Sequence, residues 1–131
     1  KRKDIKILVP GGLINYDEQS IYGDLTVTSL KSFYLNKFFL SFVGIDEDKG
    51  ITTYYPEISK IKSAMIKNSR INIAVSDSSK FGVVSFSYVC GLNSIQKIIT
   101  EKKPKESFIR VAHLNNITID VVNSEGRVEH F

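Results

Sequence analysis

Apolar residues recur along the chain with two periods. Ile5, Ile7 and Val9 fall at every second position, as in a strand, and Pro10-Gly11-Gly12 ends that run. Asp24 is placed to cap a helix whose Val27, Leu30 and Tyr34 share one face. Phe38 to Val43 is nearly unbroken in apolar character, which predicts a strand buried on both sides, and Gly44 to Gly50 (GIDEDKG) reads as a polar turn. Pro56 suits a first helical position. Behind it Ile58, Ile61 and Met65 follow at i, i+3 and i+7 with Ala64 beside them, and Lys67 and Arg70 stand at the end where cations suit the helix dipole. Ile71 to Val75 predicts a strand that runs into Ser76-Asp77-Ser78-Ser79-Lys80. Val83 to Cys90 mixes β-branched and aromatic residues with serines and fits neither period cleanly. Ile95 to Thr100 reads as a short strand, and Pro104 to Leu114 as a helix with Phe108, Val111 and Leu114 on one face and Asn115-Asn116 as its stop. Ile117 to Val122 is a last strand. Strands and helices that alternate in this way predict an α/β domain, with a mainly parallel sheet and helices packed on both faces.

Composition narrows the function classes. With 131 residues, 42% hydrophobic and 24% charged, the chain can bury a core as one domain, and disorder is excluded. The net charge of +4 suits an anionic ligand but is too small and too dispersed to indicate nucleic acid. Its densest groups, Lys1 to Lys3 and Lys102 to Lys105, read as solvated ends or loops. The single cysteine, Cys90, rules out an internal disulfide, and its apolar neighbours predict a buried free thiol. The longest apolar run, Phe38 to Ile45, is far shorter than the roughly 20 residues a bilayer requires. No secretory leader is evident, so a soluble, cytoplasmic location is expected. The charged opening stretch leads at once into the first predicted strand, which points to a preceding segment.

Ligands of parallel sheets bind in the loops at the carboxyl ends of strands. Three such loops follow from the pattern: Pro10 to Gly12, Gly44 to Thr53, and Asp77 to Gly82. A phosphorylated ligand needs approachable backbone N–H groups, hydroxyl donors and a cation. Ser78, Ser79 and Lys80 supply hydroxyls and a cation within one loop, and Gly82 lets the chain turn away. Thr52 and Thr53 lie just before the Pro56 helix, whose N-terminus favours anions, while Asp46 suits sugar hydroxyls. Serine, aspartate and glycine are also ordinary turn residues, with Asp77 capping local N–H groups, so spacing alone leaves both readings open. Asp46-Glu47-Asp48 with Gly50 lacks the ligand spacing and terminal glutamate of an EF-hand. The two histidines, His113 and His130, fall outside these loops, and no Walker loop, G-x-S-x-G or G-x-G-x-x-G occurs. Phe81, Phe86 and Tyr88 read as core or interface residues, not as a base-stacking platform.

At these loops the sequence resembles the sensor domain of the DeoR family of bacterial transcriptional repressors. Phe38 to Thr53 (FFLSFVGIDEDKGITT) is similar to that family's strand and G-[IV]-D…G-[LI]-T-T turn, and Ile73 to Gly82 (IAVSDSSKFG) to its D-x-S-K-F-G segment. Glu57 to Ile66 (EISKIKSAMI) resembles the helix between them, Ile7 to Gly12 (ILVPGG) with Tyr22-Gly23 an earlier strand and its glycines, and Ile98-Ile99-Thr100 a late strand. The likeness runs from about Ile5 to Val122, and the order and spacing of the pieces make it specific.

The resemblance implies a ribose-5-phosphate isomerase or glucosamine-phosphate deaminase-like fold. It also implies a phosphorylated sugar as effector, a homo-oligomer, and operator binding through an N-terminal helix-turn-helix that this chain lacks. By matching position, Lys80, Ser78 and Ser79 meet the phosphate, Asp46 meets the sugar, and Gly44, Thr52 and Thr53 shape the loop. Gly11, Gly12 and Asp77 join the ligand-binding set, and Glu57 stands where the related isomerases keep an acid. The family's opening strand, its D-x-G-[ST]-T loop and the following strand and helix are not in this sequence, so the sensor domain is expected to be partial, truncated at its N-terminus. Thr100-Glu101 replaces the usual threonine-aspartate. No catalysis, metal or cofactor is expected. A phosphosugar isomerase or deaminase, with Glu57, Asp46 and Lys80 between them supplying a general base and an acid or electrophile, and an oligomerisation module without ligand are the alternatives.

Overall fold

A computed structural model describes residues 4–131. Lys1 to Lys3, one of the two basic groups, lie outside the described residues. The central sheet has five strands in the order β10-β9-β8-β6-β3, built from β3 (Leu35–Leu40), β6 (Ser69–Val75), β8 (Lys97–Thr100), β9 (Thr118–Val122) and β10 (Val128–His130). Neighbours from β3 to β9 are parallel, and β10 closes the far edge antiparallel to β9. A second, three-stranded antiparallel sheet holds β4 (Gly44–Asp46), β5 (Gly50–Thr53) and β7 (Ser87–Cys90) in the order β4-β5-β7. A small hairpin of β1 (Leu13–Asn15) and β2 (Ser20–Tyr22) stands apart from both. The described residues also form three α-helices: α1 (Asp24–Leu30), α2 (Pro56–Lys67) and α3 (Glu106–Leu114). The expected α/β class with a mainly parallel sheet is therefore present.

Local signals explain the better-defined elements. In α2 Pro56 occupies the first turn with Glu57, and Lys67 lies in the last turn, so both ends complement the dipole. In α3 the chain leaves through Asn116 at φ 58, and the N–H groups of Asn116 and Ile117 donate to His113 and Ala112 at 3.0 and 2.9 Å. That pairing satisfies the last carbonyls in a Schellman arrangement, and buried Ile117 supplies its apolar contact. Gly23, not Asp24, caps α1, and Asp24 is its first helical residue. Gly23 has φ 106, a conformation that a glycine adopts at no steric cost.

Leu40, Ile45, Ile51, Ala74, Ile98 and Ile119 are the centre of the core, where the two larger sheets meet. Phe108, Ile109 and Ala112 of α3 are buried in the same cluster.

Several predicted elements differ. Ile5 to Val9 forms no strand, and Ile7 is 84% exposed: among the described residues no strand pairs with this segment to complete a ladder. The strand predicted at Phe38 to Val43 runs from Leu35 to Leu40, and it is not buried on both sides: Phe39 is 61% exposed. As an edge strand, β3 has one partner only. Gly44 to Gly50 is a hairpin, not a bare turn, with a three-residue loop before Gly50 at φ 69. Tyr34 lies beyond α1 and is 94% exposed, and Leu114 of α3 is 82% exposed. In α3 the buried residues are Phe108, Ile109 and Ala112, since positions six apart drift away from one face of a 3.6-residue helix. Ile58, Ile61 and Met65 of α2 are only half-buried and line an apolar groove of about 930 Å³ with Leu8, Ile21 and Phe39.

Candidate functional site

The strands β3, β6, β8 and β9 all run the same way, so the loops after Val75 and after Thr100 leave the sheet side by side. The first contains Asp77 to Gly82, whose Ser78–Lys80 stretch is one turn of 3₁₀ helix. Asp77 sets that turn. Its carboxylate accepts from the Ser79 N–H at 2.9 Å and from the Ser79 hydroxyl in a very short bond. These bonds, the hydroxyl foremost, hold the Asp77 carboxyl below the usual carboxylate range.

Three ties fix the loop. The Gly82 N–H donates to the Ile45 carbonyl at 2.8 Å, which joins it to the β4–β5 hairpin. The Phe81 ring meets Phe108 edge-on at 4.9 Å, which joins it to α3. Ser78 donates to the carboxylate of Glu101 through its N–H at 2.8 and 3.1 Å and through its hydroxyl at 2.6 Å. The Thr100 hydroxyl donates to the same carboxylate at 3.1 Å. The Ser78 hydroxyl is the main reason that the Glu101 carboxyl lies below its ordinary range.

Beside this contact lies a cleft of about 420 Å³ between the two loops and the β4–β5 hairpin. Asp46, Ser78 and Gly82 line it, together with Lys102 and Lys105 from the loop after β8. Lys103 also lines it but is engaged: its ammonium pairs with Glu106 at 2.6 Å and lies 4.8 Å from the centre of the Phe131 ring. Lys80, Lys102 and Lys105 have no salt bridge among the described residues. The cleft thus faces Lys102 and Lys105 with the carboxylates of Asp46, Glu47 and Asp48, and the Ser78 donors at its edge are engaged by Glu101.

The sequence-derived site residues separate into four groups. Asp46, Ser78, Ser79, Lys80 and Asp77 come together around this cleft or on the loop that walls it. Asp46 already accepts from the N–H groups of Asp48 and Lys49 at 3.0 and 2.9 Å, which shapes the hairpin loop. Gly44, Thr52 and Thr53 are buried in the second sheet behind it. Thr52 donates its hydroxyl to Gly44 and accepts from the Ser85 N–H at 2.9 Å, so its oxygen serves the fold. Glu57 is exposed in the first turn of α2.

Gly11 and Gly12 lie elsewhere. The atoms around them belong to Leu25, Thr26, Ile21 and Tyr22, and Thr26 donates to the Gly11 carbonyl at 2.8 Å. Their neighbourhood borders the large apolar groove, which shares no lining residue with the Ser78 cleft. Sequence reasoning missed Glu101, Lys102 and Lys105. The readable signal was a run of lysines directly after a predicted parallel strand, the place where such sheets bind ligands.

The family model described as DeoR C terminal sensor domain matches residues 1–102. This chain belongs to that family. The sensor domain is 30% identical over 124 residues to the HTH-type transcriptional repressor GlcR of Bacillus subtilis, an overlap of 95% of this chain and 48% of the relative. It is 27% identical over 121 residues to the glycerol-3-phosphate regulon repressor of Escherichia coli, covering 92% and 48%. An uncharacterized HTH-type transcriptional regulator of Haemophilus influenzae is 34% identical over 110 residues, covering 83% and 43%. The chain thus spans about half the length of the curated relatives it matches, and they are named as transcriptional regulators, not enzymes. Among the described residues no helix is long and apolar enough to cross a membrane.

Proposed function

We propose that this domain is the effector-sensing half of a cytoplasmic DeoR-type repressor, and that a phosphorylated sugar is its effector. The observation that carries the reading is the cleft where the β6 and β8 loops exit, lined by Ser78, Lys102 and Lys105, with Lys80 on the turn that begins at Ser78. Lys80 supplies charge to the phosphate, the Ser78 N–H and hydroxyl supply donors, and Asp46 accepts from sugar hydroxyls across the cleft. Asp77 and Ser79 hold the turn, while Gly44, Thr52 and Thr53 position the hairpin that carries Asp46. Operator DNA is contacted by a helix-turn-helix outside this chain, in a homo-oligomer of ribose-5-phosphate isomerase-like domains. The names of the relatives support this assignment: one of them is a repressor of a glycerol-3-phosphate regulon.

Thermal melts against a panel of sugar phosphates, with free sugars as controls, test the proposal. A ligand bound only by the folded state adds about 2.7 kcal/mol of stability at a hundredfold excess over its dissociation constant. A rise in melting temperature with a phosphosugar, lost in Lys80→Ala, is the expected result. Identical melting of wild type and Lys80→Ala with every phosphosugar would remove Lys80 from the site.

A further inference from the structure

The donors that a phosphate would use at Ser78 are already engaged by the chain itself. Three groups, from the β6 loop and from the end of β8, converge on the Glu101 carboxylate: the Ser78 N–H, the Ser78 hydroxyl and the Thr100 hydroxyl. A carboxylate presents two negative oxygens, and a phosphoryl group presents the same kind of acceptor. Glu101 is exposed, and no salt bridge among the described residues holds it in place. Its side chain is free to swing toward solvent without disturbing the core.

We propose that Glu101 is a built-in competitor of the effector, a tethered anion that occupies the Ser78 donors until a phosphate displaces it. The inference rests on the proposed phosphosugar reading and adds to it a residue that sets affinity. Glu101 is the first residue after β8 and directly precedes the Lys102–Lys105 run, which leads into α3. Displacing its carboxylate therefore breaks the hydrogen bonds that join Ser78 of the β6 loop to the residue after β8. Two anions cannot share one set of donors, so binding of phosphate and closure of the Glu101 contact exclude each other.

The test is calorimetric titration of the domain with inorganic phosphate and with a hexose 6-phosphate, on wild type, Glu101→Gln and Glu101→Ala. Amide spectra locate Ser78, and thermal melts confirm that each variant folds. Both variants should bind phosphate about fivefold more tightly or better, the effect of removing one like charge a few ångströms away in water. The Ser78 amide should shift with phosphate in all three. Weaker or equal binding by both variants, with wild type still binding, overturns the competitor role and leaves the phosphosugar reading standing. A glutamate that only braces the two loops would give that pattern, with a lowered melting temperature beside it. Three folded proteins without phosphate binding would overturn both proposals.

Discussion

Replacing Gly44 by alanine would place a methyl group 2.2 Å from the carbonyl oxygen of Val83, 2.7 Å from its carbonyl carbon and 3.0 Å from Thr52 Oγ1. Backbone atoms make up the nearest contact, so no rotamer relieves it. The segment after Gly82 must move away, and the bond from the Ser85 N–H to Thr52 Oγ1 goes with it. Overpacking of this kind costs about 1–3 kcal/mol and the hydrogen bond about 1 more, a total of about 2–4 kcal/mol. At about 2.1 cal/mol/K for each of 131 residues, the melting entropy is roughly 0.28 kcal/mol/K, so the melting temperature should fall by about 7–14 °C. Calorimetry measures the shift, and amide hydrogen exchange at Ser85 locates it. Gly82→Ala is the control. At φ +75 with open space around it, Gly82 pays only a left-handed backbone penalty of about 1–2 kcal/mol, and Ser85 should keep its protection. A fall of less than about 3 °C in Gly44→Ala, with the Ser85 amide still protected, would show that the approach of Val83 is not the constraint on this position.

Three further outcomes follow from the packing and the charges. Ile98 is fully buried in β8, so Ile98→Ala should cost about 3–4 kcal/mol in guanidinium unfolding, and a cost under 1 would mean that the core collapses around the gap. Burial raises the Asp120 carboxyl, but bonds from Lys97 at 2.6 Å and His130 at 2.7 Å outweigh it and hold the group below its ordinary range. A depressed folded value means stability present above the unfolded carboxyl's range and lost as pH falls through the folded one. Asp120→Asn should therefore be about 1–2 kcal/mol less stable at pH 6, with the gap closing toward pH 2, and a gap independent of pH would refute the assignment. Burial pushes the Cys90 thiol up to about 11, so at pH 8 roughly one molecule in a thousand carries the thiolate. Aromatic disulfide reagents should label Cys90 only as fast as the fold opens, and rapid labelling of folded protein would contradict its burial.

Some of this protein was legible along the chain, because the forces involved are local. Pro56, the Ile58–Ile61–Met65 spacing and Lys67 announced α2 without help from its neighbours, and Asn115-Asn116 marked the end of α3. The D-S-S-K-F-G loop could be placed after a strand because Ile71 to Val75 is apolar but for Asn72. Partners were not legible. Whether Ile5 to Val9 forms a strand depends on a neighbouring ladder that the sequence does not name, and among the described residues none is present. Burial of the Ile58, Ile61 and Met65 stripe depends on what faces it, and what faces it is a groove. Gly11 and Gly12 read like a phosphate loop by composition, yet they pack against Thr26 and Ile21 instead. The carboxylate on Ser78 comes from 23 residues further along the chain. Two adjacent parallel strands bring Glu101 there by placing their exit loops side by side, and only the sheet order determines that they do so.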